Sequence, residues 1–228
     1  MSAPISIVVP TRNAASQIGG TLASLYEGID AGLIRDLVIS DGDSVDEIAE
    51  IADDVGAVLI RGRAGRGTQL AAGAKAAKGD WLLFLHADTR LSGGWTADAA
   101  EHMANSPEMA AYFKLEFNSD SVAAKAVAAW ANFRSRAFDL PYGDQGLLLS
   151  RKLYDSIGGY PPIPIMEDVV VAKRLRGQLL MLNGKAKTDA SHYVERGWIR
   201  HGLGNLALLA KHQLGSTPGS LGNKNGRR

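Results

Sequence analysis

Residues 67–89 read GTQLAAGAKAAKGDWLLFLHADT, and this stretch decides the fold. Thr68 to Lys78 is rich in alanine, the best helix former, and Gly79 suits the end of a helix. Trp81 to Leu85 follows without a polar residue. A run that short and that apolar reads as a strand buried on both faces. Moving toward the N-terminus, the same rhythm repeats. Gly62 to Gly67 is a glycine- and arginine-rich loop, and Ala57 to Ile60 is a strand before it. Ile48, Ile51 and Val55 form a helical stripe, opened by Ser44 and Glu47 at capping-box spacing. Leu37 to Ile39 is a buried strand. Ile18, Leu22 and Leu25 share one helix face, and Ile5 to Val9 is the first strand, closed by Pro10. Strand and helix alternating in this way predict an α/β fold, with a Rossmann-like, mostly parallel central sheet covered by helices on both faces.

Ligands of such sheets bind beyond the C-terminal ends of the strands. Polar residues stand at all four ends: Pro10-Thr11-Arg12-Asn13, Asp41-Gly42-Asp43, the loop with Arg61, Arg63 and Arg66, and His86-Ala87-Asp88. A hydrophobic core has no use for them, and together they outline a crevice.

The chain toward the C-terminus is more mixed. Ala111, Phe113, Leu115 and Phe117 alternate with Tyr112, Lys114 and Glu116, as in a half-exposed strand. Ser121 to Ala137 is helical, and Tyr142 to Gly146 is a loop before the strand Leu147 to Leu149. Glu167-Asp168 opens a helix reaching about Arg176, with Arg174 and Arg176 on its surface. Trp198 to Leu214 is a final amphipathic helix. There is no internal repeat and no linker, so residues 1–214 are expected to form one domain and 215–228 a loose basic tail. The 228 residues carry a formal charge of +1, which argues against nucleic acid as the main partner. With no cysteine, a disulfide scaffold and a thiolate metal site are excluded. The N-terminus lacks the charged and long apolar regions of a secretory signal, and no apolar run approaches the roughly 20 residues that span a bilayer. The expected location is cytoplasmic.

Several residues carry two readings. Asp88, after five apolar residues, fits either a hard-cation ligand or the cap of a turn. His86 fits a second ligand, a ribose contact or a histidine bonded to backbone. Asp41 fits a ribose or base contact, or a turn aspartate beside Gly42. Asp43 and Asp46 favour the start of the following helix electrostatically. Gly62 to Gly67 can bring backbone and arginine to a pyrophosphate, or be a solvated loop. Glu167 and Asp168 can be favourable charges at a helix start, or supply a general base held in place by Pro161, Pro162 and Pro164.

Taken in order, ISIVVPTRN, LVISDGDSVD, GRGTQLAAGAKAAKGDWLLFLHADT and YGDQGLLLSRKLYDSIGGYPPIPIMEDVVVAKRLR resemble glycosyltransferase family 2. The match is to its short bacterial branch with His-Ala-Asp in place of Asp-X-Asp, and it covers residues 5 to about 200. The resemblance implies a GT-A fold. It implies an inverting transfer of sugar from a nucleoside-diphosphate sugar to an acceptor hydroxyl of a glycan, lipid or small molecule, dependent on Mn²⁺ or Mg²⁺. By position, Pro10, Thr11 and Arg12 would line the nucleotide pocket, Asp41 would contact base or ribose, and Arg66 would lie near base or diphosphate. Asp88 would hold the metal, with His86 replacing a ribose-binding carboxylate. Asp168 would be the catalytic base with Glu167 positioning the acceptor, and Gly143, Asp144 and Gln145 would lie on the acceptor side. Thr188 to Gly197 resembles the segment that closes over the diphosphate. There His192 would contact metal or phosphate and Arg196 diphosphate, unless both belong to a surface loop. Ala14 and Ala15 stand where many relatives have a glutamate.

The helix at 198–214, with Ile199, Leu203, Leu206 and Ala210 on one face, fits packing on the core or resting on a membrane surface near a lipid-linked acceptor. Two other functions remain compatible with the sequence: a sugar-phosphate nucleotidyltransferase, and a non-catalytic nucleotide- or glycan-binding protein.

Overall fold

A computed structural model describes residues 3–189. Its strands are β1 (Ile5–Thr11), β2 (Ile34–Asp41), β3 (Val58–Arg61), β4 (Trp81–Phe84), β5 (Thr89–Leu91), β6 (Ala110–Phe117), β7 (Leu147–Ser150) and β8 (Leu179–Thr188). Its helices are α1 (Ala15–Asp30), α2 (Ile48–Asp54), α3 (Arg66–Ala76), α4 (Trp95–Asn105), α5 (Val122–Phe138), α6 (Arg151–Ser156) and α7 (Glu167–Arg174). All eight strands form one sheet in the order β3-β2-β1-β4-β7-β6-β8-β5. The first half, β3-β2-β1-β4, is parallel, as the alternating pattern predicts. Beyond it β7 runs antiparallel to β4 and to β6, β8 parallel to β6, and β5 antiparallel to β8.

The period-two alternation of β1 builds both layers of the core. Ile5, Ile7 and Val9 face a cluster with Ile18, Leu25, Leu83, Trp95 and Phe113. Val8 faces the other side, with Val38, Leu70, Leu82, Phe84, Leu149, Tyr154 and Val171. Trp95 is fully buried, and its indole N–H donates to Ser24 O at 3.1 Å.

The structure corrects several local readings. Ser44 does not cap α2. Its hydroxyl donates to Asp41 and accepts Asn13 N–H at 2.8 Å, and α2 begins only at Ile48 without a side-chain cap. Asp46 serves the other helix, because its Oδ2 accepts the N–H of Ala15 at the start of α1 at 2.8 Å. Gly79 lies past the helix end, where a Cβ would come within 2.6 Å of Pro4 O. It is needed for that close approach. Tyr112, which the alternating pattern leaves half-exposed, is buried. Arg174 lies on the surface as read, and from there its Nη1 donates to Ile157 O and Gly159 O and so ties down the turn before Tyr160.

Candidate functional site

The ends of β1 and β2 are closed from within. Thr11 and Asp41 face each other in register and each is 2% exposed. The Thr11 hydroxyl donates to Asp41 Oδ1 at 3.0 Å, and Ser44 N–H donates to Oδ2 at 2.9 Å. These two side chains therefore form the floor beneath the strand ends, while Pro10 is partly exposed and Arg12 is exposed. Gln69, buried on α3, fastens the floor to the glycine-rich loop. Its amide nitrogen donates to Thr11 O and Ser40 O, and its oxygen accepts Gly65 N–H at 3.2 Å.

Two glycines let that loop meet the proline segment. Gly65 has a φ of 151°, which side-chain-bearing residues rarely adopt. Gly67 N–H donates to Ile163 O at 3.1 Å, and a Cβ there would lie 2.1 Å from Pro161 O. The weld brings Arg66 to the start of α7, with Arg66 Nε 3.6 Å from Glu167 Oε1. Glu167 is fully buried, and neither of its oxygens has a hydrogen-bond partner.

Past β4, His86 packs on the loop at Gly143, so close that a Cβ there would be 2.5 Å from His86 Nε2. Asp168 accepts Gly143 N–H on Oδ2 at 3.0 Å and its neighbour Val169 N–H on Oδ1 at 2.7 Å. This joins α7 to residues 143–145, a short 3-10 turn. A narrow cleft results, lined by Phe84, His86, Gly143, Tyr160, Glu167 and Asp168. A wider, mostly apolar hollow lies against the opposite end of the sheet, beside Trp81 and Ser150, away from these carboxylates.

Gln145 is a correction. It is fully buried, accepting Ser135 Oγ–H at 2.6 Å and Tyr142 N–H at 3.3 Å and donating to Phe113 O at 3.2 Å. It shapes the loop and does not line it. Asp144 has its Oδ1 sealed from water without a partner, as does Arg134 Nη2 nearby. The Arg134 guanidinium stacks 3.4 Å from the Tyr142 ring centre.

Burial dominates the electrostatics. With help from Arg66 it pushes His86 down to about 3, so the imidazole is neutral at pH 7. It raises Asp88 above its ordinary value. It lifts Asp144 to about 6, opposed by Arg134 and reinforced by the charges of Asp168 and Asp88. It lifts Glu167 to about 7, reinforced by Asp168 and opposed by Arg66. Four carboxylates and one half-exposed guanidinium thus meet at the end of β4, an arrangement found where acid-base or cation chemistry is done.

Gln69 and Arg134 are residues of this region that sequence reasoning passed over. A lone glutamine in an alanine-rich helix and an arginine in an otherwise apolar stretch were the available signals. His192, Arg196, the helix at 198–214 and the tail at 215–228 lie outside the described residues. No described helix is long and apolar enough to cross a membrane. The described residues contain no group of three His, Cys, Asp or Glu that could hold a cation unaided. The donors available at β4 are hard oxygens, which suit Mg²⁺ or Mn²⁺ completed by ligand oxygens.

Comparison with known proteins agrees with this geometry. The sequence model of glycosyl transferase family 2 matches residues 6–153. No curated protein matches by sequence. Among solved structures, a Staphylococcus aureus TarS fragment with UDP-GlcNAc is similar at 15% identity and TM-score 0.61, covering 81% of this chain and 58% of that one. A mannosyltransferase from Pyrobaculum calidifontis with GDP-Man and Mn²⁺ gives 18% and 0.59, covering 80% and 56%. Glucosyl-3-phosphoglycerate synthase from Mycobacterium tuberculosis, with Mn²⁺, UDP and phosphoglyceric acid, gives 18% and 0.58, covering 79% and 68%. The chain spans less than two thirds of the first two proteins. At these identities the likeness shows the fold, the GT-A arrangement.

Proposed function

From the premise that this chain belongs to glycosyl transferase family 2, we propose that it transfers a sugar, with inversion, from a nucleoside-diphosphate sugar to an acceptor hydroxyl. The observation that carries this reading is the docking of Asp168 on Gly143 N–H beside the end of β4. A carboxylate so held has both oxygens fixed by backbone donors and keeps lone pairs for a substrate proton. As the acceptor oxygen bonds to the anomeric carbon, the bond from that carbon to the diphosphate oxygen breaks. The acceptor proton passes to Asp168, and the nucleoside diphosphate leaves.

Around that step each residue has a task. Glu167, buried behind Asp168, fixes Arg66, whose half-exposed guanidinium is the cation nearest the leaving group in this reading. Pro10 and Arg12 border the nucleotide, above the floor made by Thr11 and Asp41. His86, neutral, offers a hydrogen bond to the donor without adding charge. Gly143 and Asp144 face the acceptor. Asp88 would hold Mn²⁺ or Mg²⁺, which when bound neutralises the departing diphosphate as a Lewis acid.

A thermal-shift panel of nucleoside diphosphates and their sugars tests this, because any ligand of the folded state raises Tm. One nucleotide should do so with Mn²⁺ present, and Asp88→Ala should remove the Mn²⁺ dependence. No response to any nucleotide would count against the proposal.

A further inference from the structure

In the sequence Asp88 is the one carboxylate of the cation reading, since histidine occupies the position of the companion aspartate, and His192 lies outside the described residues. The strand pairing brings a second carboxylate to the same place. β5 and β8 run antiparallel with Leu91 opposite Ala186, Arg90 opposite Lys187 and Thr89 opposite Thr188. The Thr89 and Thr188 hydroxyls meet at 3.1 Å, so the ladder is still closed at its last pair. One residue beyond this closed pair on each side stands an aspartate, Asp88 in the turn that enters β5 and Asp189 just past the end of β8. The negative charge of Asp189 is indeed felt at Asp88.

Like charges held close together are destabilising, and here Asp88 is largely withdrawn from water. A turn needs only one aspartate and a core needs none. A buried and unpartnered oxygen, Asp144 Oδ1, adds a third negative group that feels Asp88. Hard carboxylate oxygens crowded at the mouth of a cleft are what a divalent cation neutralises. Mg²⁺-type ions commonly take one or two protein carboxylates and leave their other positions to phosphate oxygens and water. We propose that Asp189 is the second carboxylate of a divalent-cation site with Asp88, pinning the end of β8 to the turn after β4. The inference rests on the reading of a cation-assisted sugar transfer. It adds a ligand from the end of β8 at a place where no group of three His, Cys, Asp or Glu among the described residues could hold a cation unaided.

The test is a Mn²⁺ titration of the full chain, followed by the electron paramagnetic resonance signal of free Mn²⁺, alone and with UDP or GDP. Asp189→Asn and Asp88→Asn are compared with Asp120→Asn, an exposed acid paired with Lys125. Asp189→Asn should weaken Mn²⁺ binding at least tenfold. It should also raise the Tm of the metal-free protein, because the opposed charges are gone, and abolish the further rise given by Mn²⁺. If Asp189→Asn binds Mn²⁺ as Asp120→Asn does while Asp88→Asn does not, the inference fails and the transferase reading stands. If Asp88→Asn also binds normally, the metal dependence itself is wrong and the inference falls with it. A lower metal-free Tm in Asp189→Asn would show a structural aspartate and would overturn the proposal.

Discussion

Asp144→Asn should make this protein more stable at neutral pH and less active. The substitution keeps the shape of the side chain and removes only its charge. In the folded chain burial lifts Asp144 from 3.8 to about 6. Ionising it at neutral pH therefore costs about 2 units, or about 3 kcal/mol, against the unfolded chain. Asp144 retains some contact with solvent, so about 2 kcal/mol is a fair expectation. The sign follows from the raised value. Below about pH 3 the acid is protonated whether folded or not, and wild type and variant should melt together. As pH rises from about 3 to 6 the unfolded acid ionises first, and wild-type stability declines relative to the variant. Above pH 7 the gap should be constant, at about 4–8 °C in Tm for a chain of this size. Calorimetric scans at pH 4, 5, 6 and 7.5 measure it. Superimposable Tm–pH curves, or a variant less stable at pH 7.5, would refute the claim that this carboxylate is held at a cost. Such a cost is tolerated where the group is used, so sugar transfer should fall at the same time.

Gly67→Ala would drive a methyl into Pro161 O and Ile163 O. It should lower stability by about 1–3 kcal/mol in urea titrations and depress transfer as well, because it parts Arg66 from Glu167. Gln145→Leu takes the side-chain acceptor from Tyr142 N–H and the side-chain donor from Phe113 O, while the Ser135 hydroxyl keeps Ala131 O. It should cost about 2–4 kcal/mol, seen as a lower urea midpoint with an unchanged m-value. Arg66→Met removes the one cation facing Glu167. Glu167 should then hold its proton to higher pH, so the lower limb of the pH–rate profile should move upward.

The parallel half of the sheet is legible because Ile5 to Val9, Leu37 to Ile39 and Trp81 to Leu85 are apolar on both faces, and runs so short fit little besides buried strands. β8 is not legible. Its buried positions after Leu182 are Gly184, Ala186 and Thr188, while Asn183, Lys185 and Lys187 are exposed. Alternation of small with charged residues gives no hydrophobic signal. α4 is hidden in the same way, since Trp95 is the one large apolar side chain among its buried residues Trp95, Ala99 and His102. In the site, Asp88 and Asp168 are visible by position after a strand and at a helix start. Gln145 is not, because whether a loop glutamine faces a crevice or a core depends on Ser135 and Phe113, which other elements bring to it. Ser44 shows the same limit, since Asp41 across the turn outcompetes the local capping box.

Asp88 first stands out as one carboxylate in an unexpected place. The β5–β8 ladder ends one residue short of it and of Asp189, and Arg66 acts on both it and Glu167 of α7. The most direct test of the account is turnover by Asp168→Asn. Wild type, given the nucleotide sugar that raises its Tm, should release nucleoside diphosphate and form glycoside. The variant should bind that donor within about twofold yet transfer at least ~100-fold more slowly, the scale of a lost general base. Equal turnover in the two proteins, or pyrophosphate released from a nucleoside triphosphate, would contradict it.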